Sequence, residues 1–399
     1  MIVLLAVLIA VLVTLVFAFS NFSRSDFWTA TVTPLASIIG SGFLVCAPLL
    51  AKEFGAFAAP AMGVLLVIAY LVGAVIRFNI HHVEPCLEDG AKHGPVVVLA
   101  RISQGVLSLA YAVSVAYYLK LLAAFVLRGA ENESVIRSNM LVTAIILVCV
   151  ALSFSGGLRR VEHLAHATVS IKLGVIAGLL AALAVHWVVN IGRPFTVPPG
   201  VVSPRNIFIL LGLLITVQGF ETSRYLGEAY DRETRVRTML LAQWISAGIY
   251  AVFLILLTPY LTEASMTQGV AGILDIMKSI APFFGGMVLL GAVMSQLSAS
   301  VADSIGAAGI AVEASKRKLT IPSGYAIGAA LSIAVVWLTD PFQVIALASR
   351  AFALYYAFQC VLAVMVARRT KSASLARQVG FALIGLICLV AVIAGSPAE

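Results

Sequence analysis

The chain of 399 residues is 61% hydrophobic and only 11% charged, whereas about a quarter of the residues in soluble domains are charged. This composition excludes a soluble enzyme and a separate soluble domain. The formal net charge of +8 does not indicate nucleic-acid binding, because the basic residues are spread thinly through short connections between apolar runs. The five cysteines are scattered, with neither a disulfide framework nor a metal-ligand spacing.

Apolar runs near the ~20 residues needed to cross a bilayer recur along the chain, and backbone in lipid must be helical. The sequence therefore predicts an all-α integral membrane protein with about 12 transmembrane helices. A leader span comes first, at 1–19, and its lack of a basic start and a clear cleavage site favours an uncleaved helix over a secretory signal. Core helices 1 to 11 follow at about 30–51, 55–76, 95–127, 138–154, 163–189, 205–230, 238–261, 283–311, 322–338, 342–366 and 377–394.

Lysine and arginine fall unevenly in the connections between these spans. Seventeen lie in one set of connections and only six in the alternate set, and the basic side of a membrane protein faces the cytoplasm. We therefore expect a multi-pass protein of the inner or plasma membrane with both termini outside. Core helices 3 and 8 are too long to cross upright and are expected to tilt. A half-amphipathic stretch at 269–280, with Asp275 and Lys278, is predicted to form an external helix over the mouth of the protein.

Two core helices contain mid-span stretches that a simple membrane helix does not explain, one through its glycines and the other through a glycine and a carboxylate. The stretch in core helix 1 consists of Ile39, Gly40, Ser41 and Gly42. Two interior glycines cost about 1 kcal/mol each relative to alanine, so they either break the helix or serve close helix packing. The stretch in core helix 6 consists of Gln218, Gly219, Phe220, Glu221 and Thr222. A charge in mid-membrane costs ~2.5 kcal/mol or more, which packing alone does not explain.

The spacing of these two sites predicts an inverted repeat. They lie five spans apart, and an odd offset reverses the direction of the chain through the membrane. Interruptions at matching positions of oppositely directed repeats indicate a substrate site at the midplane, where helix ends hold charged groups by their dipoles. The predicted organisation is a leader over 1–28, a first repeat over 29–195, a second repeat over 196–369 and an additional helix over 370–399.

The sequence resembles the amino acid, polyamine and organocation (APC) transporter superfamily over roughly residues 29–369. The motifs that carry the resemblance are Gly40-Ser41-Gly42, Gly219-Phe220-Glu221, Gly227-Glu228, Asp231-Arg232-Glu233 and Gly157-Leu158-Arg159-Arg160 with Lys172 beyond. The resemblance implies a LeuT-type five-plus-five inverted repeat with broken helices 1 and 6, preceded here by an extra N-terminal helix. Familiar members have twelve core spans and cytoplasmic termini, so the eleven core helices and external termini depart from that pattern.

Lys172 lies about ten residues into core helix 5, which places it ~15 Å deep at ~1.5 Å per residue. In the proton-coupled proteins that the chain resembles, a lysine here replaces a sodium ion held between helices 1 and 8, and a desolvated amine releases its proton readily. A fixed ion-pair strut is the alternative. Ser298 and Ser300 of core helix 8 either face Lys172, coordinate sodium or bond their own helix. Asp303 belongs either to a proton route with Lys172 or to a basic cytoplasmic partner.

Other polar and aromatic residues have local predictions. Tyr111, near the middle of core helix 3, is predicted to line the substrate pocket, whereas Tyr356 is predicted to pack or to lie at the membrane interface. Arg224 follows Glu221 by three residues on the same helical face and could neutralise it. Lys120 is expected to snorkel from core helix 3 to the membrane surface.

The residues together predict a secondary active transporter of a small amino acid or related amine, a symporter or antiporter that works by alternating access. A proton is the preferred coupling ion and sodium the alternative, with no cofactor or metal. The predicted partners are the small-molecule substrate and the lipid bilayer. The rivals are a non-transporting ligand sensor or subunit and an intramembrane enzyme, and the enzyme is disfavoured because no convincing pair of nucleophile and base or set of metal ligands occurs in the spans.

Overall fold

The computed structural model describes residues 2–88, 94–155, 158–190, 195–227, 229–315 and 318–398, of which positions 41, 88, 158–168 and 314 are described by their backbone alone. Within these ranges the chain folds into helices without strands, and ten ranges are long and apolar enough to cross a membrane. The prediction of an all-α multi-pass membrane protein is therefore confirmed. Two motif residues, Gly157 and Glu228, lie outside the described residues, as do the side chains of Ser41, Leu158, Arg159 and Arg160.

Six helices form from the first half of the chain. They are α1 (Ile2–Phe19), α2 (Asp26–Phe54), α3 (Ala58–Glu88), α4 (Gly94–Gly129), α5 (Val135–Phe154) and α6 (Leu158–Val189). They correspond to the leader and core helices 1 to 5. The helix α3 runs well past its predicted end at 76, because the apolar pattern marks the part that suits lipid rather than the end of the helix.

The second half begins with a short helix and continues with longer ones. These helices are α7 (Pro204–Gly212), α8 (Arg232–Leu256), α9 (Leu261–Met266), α10 (Ile273–Ile280), α11 (Pro282–Ala314), α12 (Ile321–Leu338), α13 (Pro341–Thr370) and α14 (Leu375–Ala394). The helix α10 falls within the predicted amphipathic stretch at 269–280. The side chain of Asp231 caps α8, and the hydrogen bond from the Thr234 N–H holds the pKa of this carboxyl below its ordinary value.

The long helices α4 and α11 pack along each other and form the centre of the bundle, with α6, α12 and α13 around them. They contain 36 and 33 residues. At ~1.5 Å per residue both are longer than the ~30 Å hydrocarbon layer of a bilayer. Their predicted excess length is confirmed, and their tilt stays a prediction.

The helix α1 lies against α6 through small residues on both helices. Gly174 and Gly178 of α6 face Ala6, Ala10 and Thr14 of α1, and a Cβ at Gly178 would lie only 2.6 Å from the Ala6 carbonyl oxygen. Small residues of this kind allow transmembrane helices to approach closely. The opposite side of α1 exposes large apolar side chains, namely Leu4, Leu8, Leu12, Leu15 and Phe19. The leader is therefore a docked helix with one face left to lipid.

The helix α2 is continuous from Asp26 to Phe54, so the predicted interruption of core helix 1 is wrong. Its glycines serve close packing instead. A Cβ at Gly40 would lie 3.2 Å from the Ala299 Cβ, and a Cβ at Gly42 would lie 2.6 Å from the Thr216 Cα. The contacts that these glycines permit offset their helix cost of about 1 kcal/mol each.

The predicted interruption of core helix 6 is confirmed. The helix α7 ends at Gly212, and two 3₁₀ turns follow over Leu214–Val217 and Phe220–Leu226. Between them Gln218 is extended, and Gly219 has φ of +125°, which side chains disfavour. We call residues 213–226 the interrupted segment.

The backbone groups released at the start of the interrupted segment are satisfied by a side chain from α13. The Ser349 hydroxyl donates to the Gly212 carbonyl at 2.7 Å and accepts the Ile215 N–H at 2.9 Å. Such a partner is required because backbone groups without hydrogen bonds cost several kcal/mol in a membrane interior. One serine thus allows the helix to stop in mid-bundle.

Candidate functional site

The interrupted segment meets α2 backbone to backbone. A Cβ at Gly219 would lie 2.6 Å from the Ile38 nitrogen, and Gly42 of α2 approaches Thr216 equally closely. Tyr250 of α8 joins the two chains, because its hydroxyl lies 2.6 Å from the Thr216 carbonyl oxygen and 3.1 Å from that of Ile38. Tyr250 was not predicted as a site residue, since nothing in its local sequence marks a tyrosine that bonds the backbones of two distant segments.

Glu221 is fully buried at the centre of this arrangement. Its Oε2 accepts the Gly219 N–H at 3.0 Å and the Tyr356 hydroxyl at 2.9 Å, whereas its Oε1 has no hydrogen-bond partner. A buried polar atom without a partner is costly. The Oε1 atom of Glu221 therefore has a free acceptor position that a proton or a cationic donor would fill.

Arg224 does not neutralise Glu221, contrary to the sequence prediction. Its guanidinium donates to Oε1 of Gln359 on α13. The i, i+3 spacing is kept in the 3₁₀ turn, but the guanidinium turns to the amide oxygen of Gln359 instead of to Glu221. The carboxyl group of Glu221 therefore has no ion-pair partner in Arg224.

Aromatic side chains surround the carboxyl group of Glu221. Phe220 stacks on Tyr356 with ring centroids 5.6 Å apart, and Phe352 lies 5.8 Å from Tyr111 and 6.2 Å from Tyr356. Tyr111 and Phe220, which the sequence assigned to the pocket, are therefore joined through α13. Tyr356 was predicted to be a packing or interface residue, and it is instead a hydrogen-bond partner of Glu221.

Two further residues of the predicted substrate set make hydrogen bonds within the site. The Gln218 side chain donates to the Tyr118 hydroxyl at 3.1 Å, and the Thr222 hydroxyl donates to the Gly219 carbonyl at 2.7 Å. Ile39 points elsewhere. It lines a cavity of about 10 Å³ between α2, α6 and α11, which is near the size of a single water molecule.

Lys172 of α6 is buried between α2 and α11, with 1% of its surface exposed. Its ammonium donates to the Ala36 carbonyl of α2 at 2.7 Å. A Cβ at Gly40 would lie 3.5 Å from the Lys172 Nζ and 3.2 Å from Ala299 of α11. Among the residues that the structure describes, Lys172 makes no ion pair, so the ammonium connects α6 to the α2 backbone rather than to a carboxylate.

The polar residues of α11 lie apart from Lys172. Asp303 is buried and accepts a hydrogen bond from Ser114 of α4, so it pairs neither with Lys172 nor with a basic residue in the described part of the chain. The Ser298 and Ser300 hydroxyls donate to carbonyls of their own helix at 3.0 and 2.9 Å. The atoms of α11 nearest to Gly40 belong to Ala299, which has no side-chain oxygen, and to the backbone carbonyl of Ser295.

A cavity of about 600 Å³ opens beside the end of the interrupted segment, between α3 and α8. Arg235 of α8 donates to both oxygens of Glu84, at 3.0 and 2.6 Å, and to the Arg224 carbonyl at 2.9 Å. Bidentate arginine–carboxylate pairs combine strength with fixed geometry. The pair ties α3 and α8 to the end of the interrupted segment, and it was not predicted because its members lie far apart in sequence.

The described residues contain no group of three or more histidine, cysteine, aspartate or glutamate side chains arranged to hold a metal ion. The site therefore offers three kinds of chemistry: a carboxyl group with an unpartnered oxygen, a buried ammonium and the buried backbone of an interrupted helix. Helix ends of this kind hold ions and charged groups by their partial charges.

Comparisons with known proteins extend the resemblance over nearly the whole chain. A family model described as APC superfamily transporter matches residues 20–395. A protein of Aquifex aeolicus (strain VF5) that carries the name "Uncharacterized protein" is 38% identical over 365 residues, which cover 90% of this chain and 88% of the relative. The family match includes α14 as well as the helices that form the site.

Proposed function

Because the chain belongs to the APC superfamily of transporters, we propose that it is a secondary active transporter of a small amino acid or related amine, coupled to protons. The chain is a multi-pass membrane protein and a transporter rather than an enzyme. One observation carries the finer proposal. The interrupted segment holds the buried carboxyl group of Glu221 with one oxygen lacking a partner.

The proposed architecture is a five-plus-five inverted repeat with 12 spans, of which α7 and the interrupted segment together form one. The first repeat takes residues 29–195 and the second 196–369, with the leader over 1–28 and an additional helix over 370–399. The interruption in the first helix of the second repeat supports this arrangement. In the first repeat the corresponding helix is α2, which is continuous. It therefore contributes one wall of the proposed substrate site and no second pair of helix ends.

The proposed substrate site is the face of the interrupted segment towards α2. The backbone and side chains from Gln218 to Thr222 cradle the substrate, Phe220 acts as a lid, and Tyr111 and the stretch from Gly40 to Gly42 form the walls. An ammonium group on the substrate supplies the donor that the Glu221 Oε1 lacks. A charge-assisted hydrogen bond of this kind is stronger than one between neutral groups.

Lys172 is the proposed proton carrier. When charged, its ammonium holds α6 to the Ala36 carbonyl of α2, and loss of the proton weakens that hydrogen bond because the neutral amine is a poorer donor. Relative movement of α6 and α2 is then linked to the proton. In the proposed cycle the substrate site faces one side of the membrane while Lys172 is charged. It returns to the other side after Lys172 has released its proton.

Sodium coupling is the second candidate, and two observations disfavour it. The Lys172 ammonium occupies the space between α2 and α11, where a second cation would be repelled. The α11 side chain that faces this space is Ala299, so the oxygen that α11 offers a hard cation there is the Ser295 carbonyl. Asp303, Ser298 and Ser300 keep a proposed role in proton transfer. They do not contact Lys172 and would act through Ser114 of α4 and through the α11 backbone.

Transport in proteoliposomes tests the proposed function. The substrate is first found by measuring thermal unfolding with amino acids, amines and polyamines, since a ligand at 100 times its Kd stabilises by ~2.7 kcal/mol. With that substrate, an inward proton gradient in sodium-free buffer is expected to drive accumulation that collapses when the gradient is dissipated. An absolute sodium requirement would contradict proton coupling. Binding without uptake or exchange would assign the protein to the class of sensors.

Replacing Glu221 by glutamine is expected to weaken substrate binding at least tenfold. Glutamine keeps an acceptor for the Gly219 N–H and Tyr356 but removes the charge that faces the substrate amine, and hydrogen bonds to charged groups contribute about 1.5–3 kcal/mol. The Kd is measured by isothermal titration with the purified variant. The matched control is Glu233→Gln, at an exposed residue paired with Arg237, which should bind like the parent. Equal effects of the two changes would assign Glu221 to structure.

A further inference from the structure

A separate cavity of about 370 Å³ lies where α4 ends, α5 begins and α13 starts. It is remote in sequence from the interrupted segment and shares none of the residues proposed for substrate or coupling. Its charged and polar lining includes Lys120, Arg128, Glu133 and Asn139, and its walls include the apolar residues Leu127 and Phe342. The cavity thus combines an apolar wall with a few polar groups, as ligand sites do.

Arg128 is fully occupied by partners from the protein. Its Nε donates to Oδ2 of Asp275 at 2.9 Å, and its Nη1 donates to Oε1 of Glu133 at 3.2 Å and to the Gln268 carbonyl at 2.6 Å. Two carboxylates therefore balance its charge. Arg128 ties the end of α4 to α10 and is not the group that would attract a ligand.

Lys120 is the basic residue of this cavity without a carboxylate in hydrogen-bond contact, and the charge of Asp340 attracts its ammonium from further away. Lys120 is 1% exposed, so the expectation that it snorkels to the membrane surface is wrong. Its ammonium donates to the Thr339 carbonyl at the end of α12, and it makes no ion pair within the described ranges. The neighbouring Asp340 uses its carboxylate to cap the first N–H groups of α13. An ammonium has three donors, so two remain for a ligand.

Asn139 of α5 provides a second polar group, whose side-chain oxygen has no protein partner. The side chain is 5% exposed and lines the same cavity, and its Oδ1 accepts no hydrogen bond. A buried amide oxygen of this kind calls for a donor. The cavity therefore presents an anion-binding group and, separately, an acceptor.

We propose that this cavity binds the headgroup of a phospholipid, with a phosphate oxygen accepting from Lys120 and a headgroup hydroxyl or ammonium donating to Asn139. Lysine binds phosphate as a point charge, and basic pockets between transmembrane helices bind lipid headgroups. The surface of α5 beside the cavity supports a lipid as the source of the phosphate. Val135, Ile136 and Met140 are 69, 60 and 58% exposed there, and they offer a path for acyl chains.

The chemistry distinguishes among lipids. Phosphatidylglycerol and phosphatidylethanolamine carry both the phosphate and a donor, whereas the quaternary ammonium of phosphatidylcholine cannot donate a hydrogen bond. The delipidated full-length protein in detergent is therefore titrated with each of these three lipids and with inorganic phosphate, and thermal unfolding gives the apparent Kd. We expect phosphatidylglycerol and phosphatidylethanolamine to stabilise the protein more strongly than phosphatidylcholine.

Lys120→Met is expected to weaken phosphatidylglycerol binding at least tenfold. The matched control is Arg137→Gln, which removes an exposed charge from the same end of α5 but does not line the cavity. Asn139→Leu should remove the preference over phosphatidylcholine and keep the dependence on Lys120. Should Lys120→Met fail to fold, Asn139→Asp takes its place, because an added carboxylate repels an anion.

The outcomes separate the sources of the phosphate. One outcome is that inorganic phosphate stabilises the parent protein as strongly as lipid does and loses this effect in Lys120→Met. That result would support a phosphate site but overturn its assignment to a lipid. Equal phosphatidylglycerol affinity in the parent, Lys120→Met and Asn139→Asp would overturn the site itself. A similar loss in Arg137→Gln and Lys120→Met would do so as well, since it would indicate a general surface charge effect.

Discussion

Replacing Lys172 by alanine is expected to abolish proton-driven accumulation while exchange of substrate across the membrane continues. The variant removes the ammonium that joins α6 to the Ala36 carbonyl of α2 and leaves no titratable group in its place. Substrate still binds at the interrupted segment, so exchange needs only movement of the loaded protein. Accumulation under a pH gradient and counterflow exchange are measured in the same proteoliposomes.

The control for this experiment is Lys52→Ala, at an exposed lysine in the last turn of α2. It should leave accumulation and exchange unchanged. If Lys172 were only a structural strut, its loss would lower folded yield and exchange together. Unchanged accumulation in Lys172→Ala would remove this residue from the coupling mechanism.

Replacing Gly219 by alanine is expected to abolish substrate binding and to lower the stability of the protein. Two effects act together at this position. The φ of +125° disfavours any side chain, at a cost of about 1–3 kcal/mol. In addition, the new Cβ would lie 2.6 Å from the Ile38 nitrogen, so the interrupted segment would have to move away from α2. Binding and thermal unfolding are measured on the purified protein.

Gly248→Ala on α8 is the matched control, because a Cβ there meets no atom within 4 Å and the residue is helical. It should bind substrate normally and be as stable as the parent or slightly more stable, since alanine is the better helix former. Normal binding by Gly219→Ala would place the substrate site away from the contact between the interrupted segment and α2.

The two mid-span sites illustrate what a sequence can predict about a membrane helix. The interruption in core helix 6 was predictable, because a carboxylate beside a glycine cannot be explained by packing in lipid. The glycines of core helix 1 were ambiguous, since small residues suit both a break and a close contact. The three-dimensional structure distinguishes the two possibilities. Thr216 lies against Gly42 and Ala299 lies against Gly40, so the glycines allow close contact.

The partners of the site residues could not be predicted, because they come from distant parts of the chain. Glu221 and Tyr356 are 135 residues apart, as are Arg224 and Gln359. A local helical pattern suggested Arg224 as the partner of Glu221, but the acceptor that Gln359 of α13 provides takes the guanidinium instead. Lys172 was predictable as a buried group from its depth, but its carbonyl partner on α2 carries no sequence signal.

The docking of α1 on α6 has a consequence for the membrane in which the protein works. With 18 residues, α1 is about 27 Å long at 1.5 Å per residue, slightly shorter than a typical hydrocarbon layer of ~30 Å. A thicker bilayer would strain α1 or become thinner around it, and the contacts of α1 with the α6 glycines would transmit that force to the helix that carries Lys172. The rate of transport should therefore depend on acyl-chain length, and this sensitivity should disappear when α1 is removed.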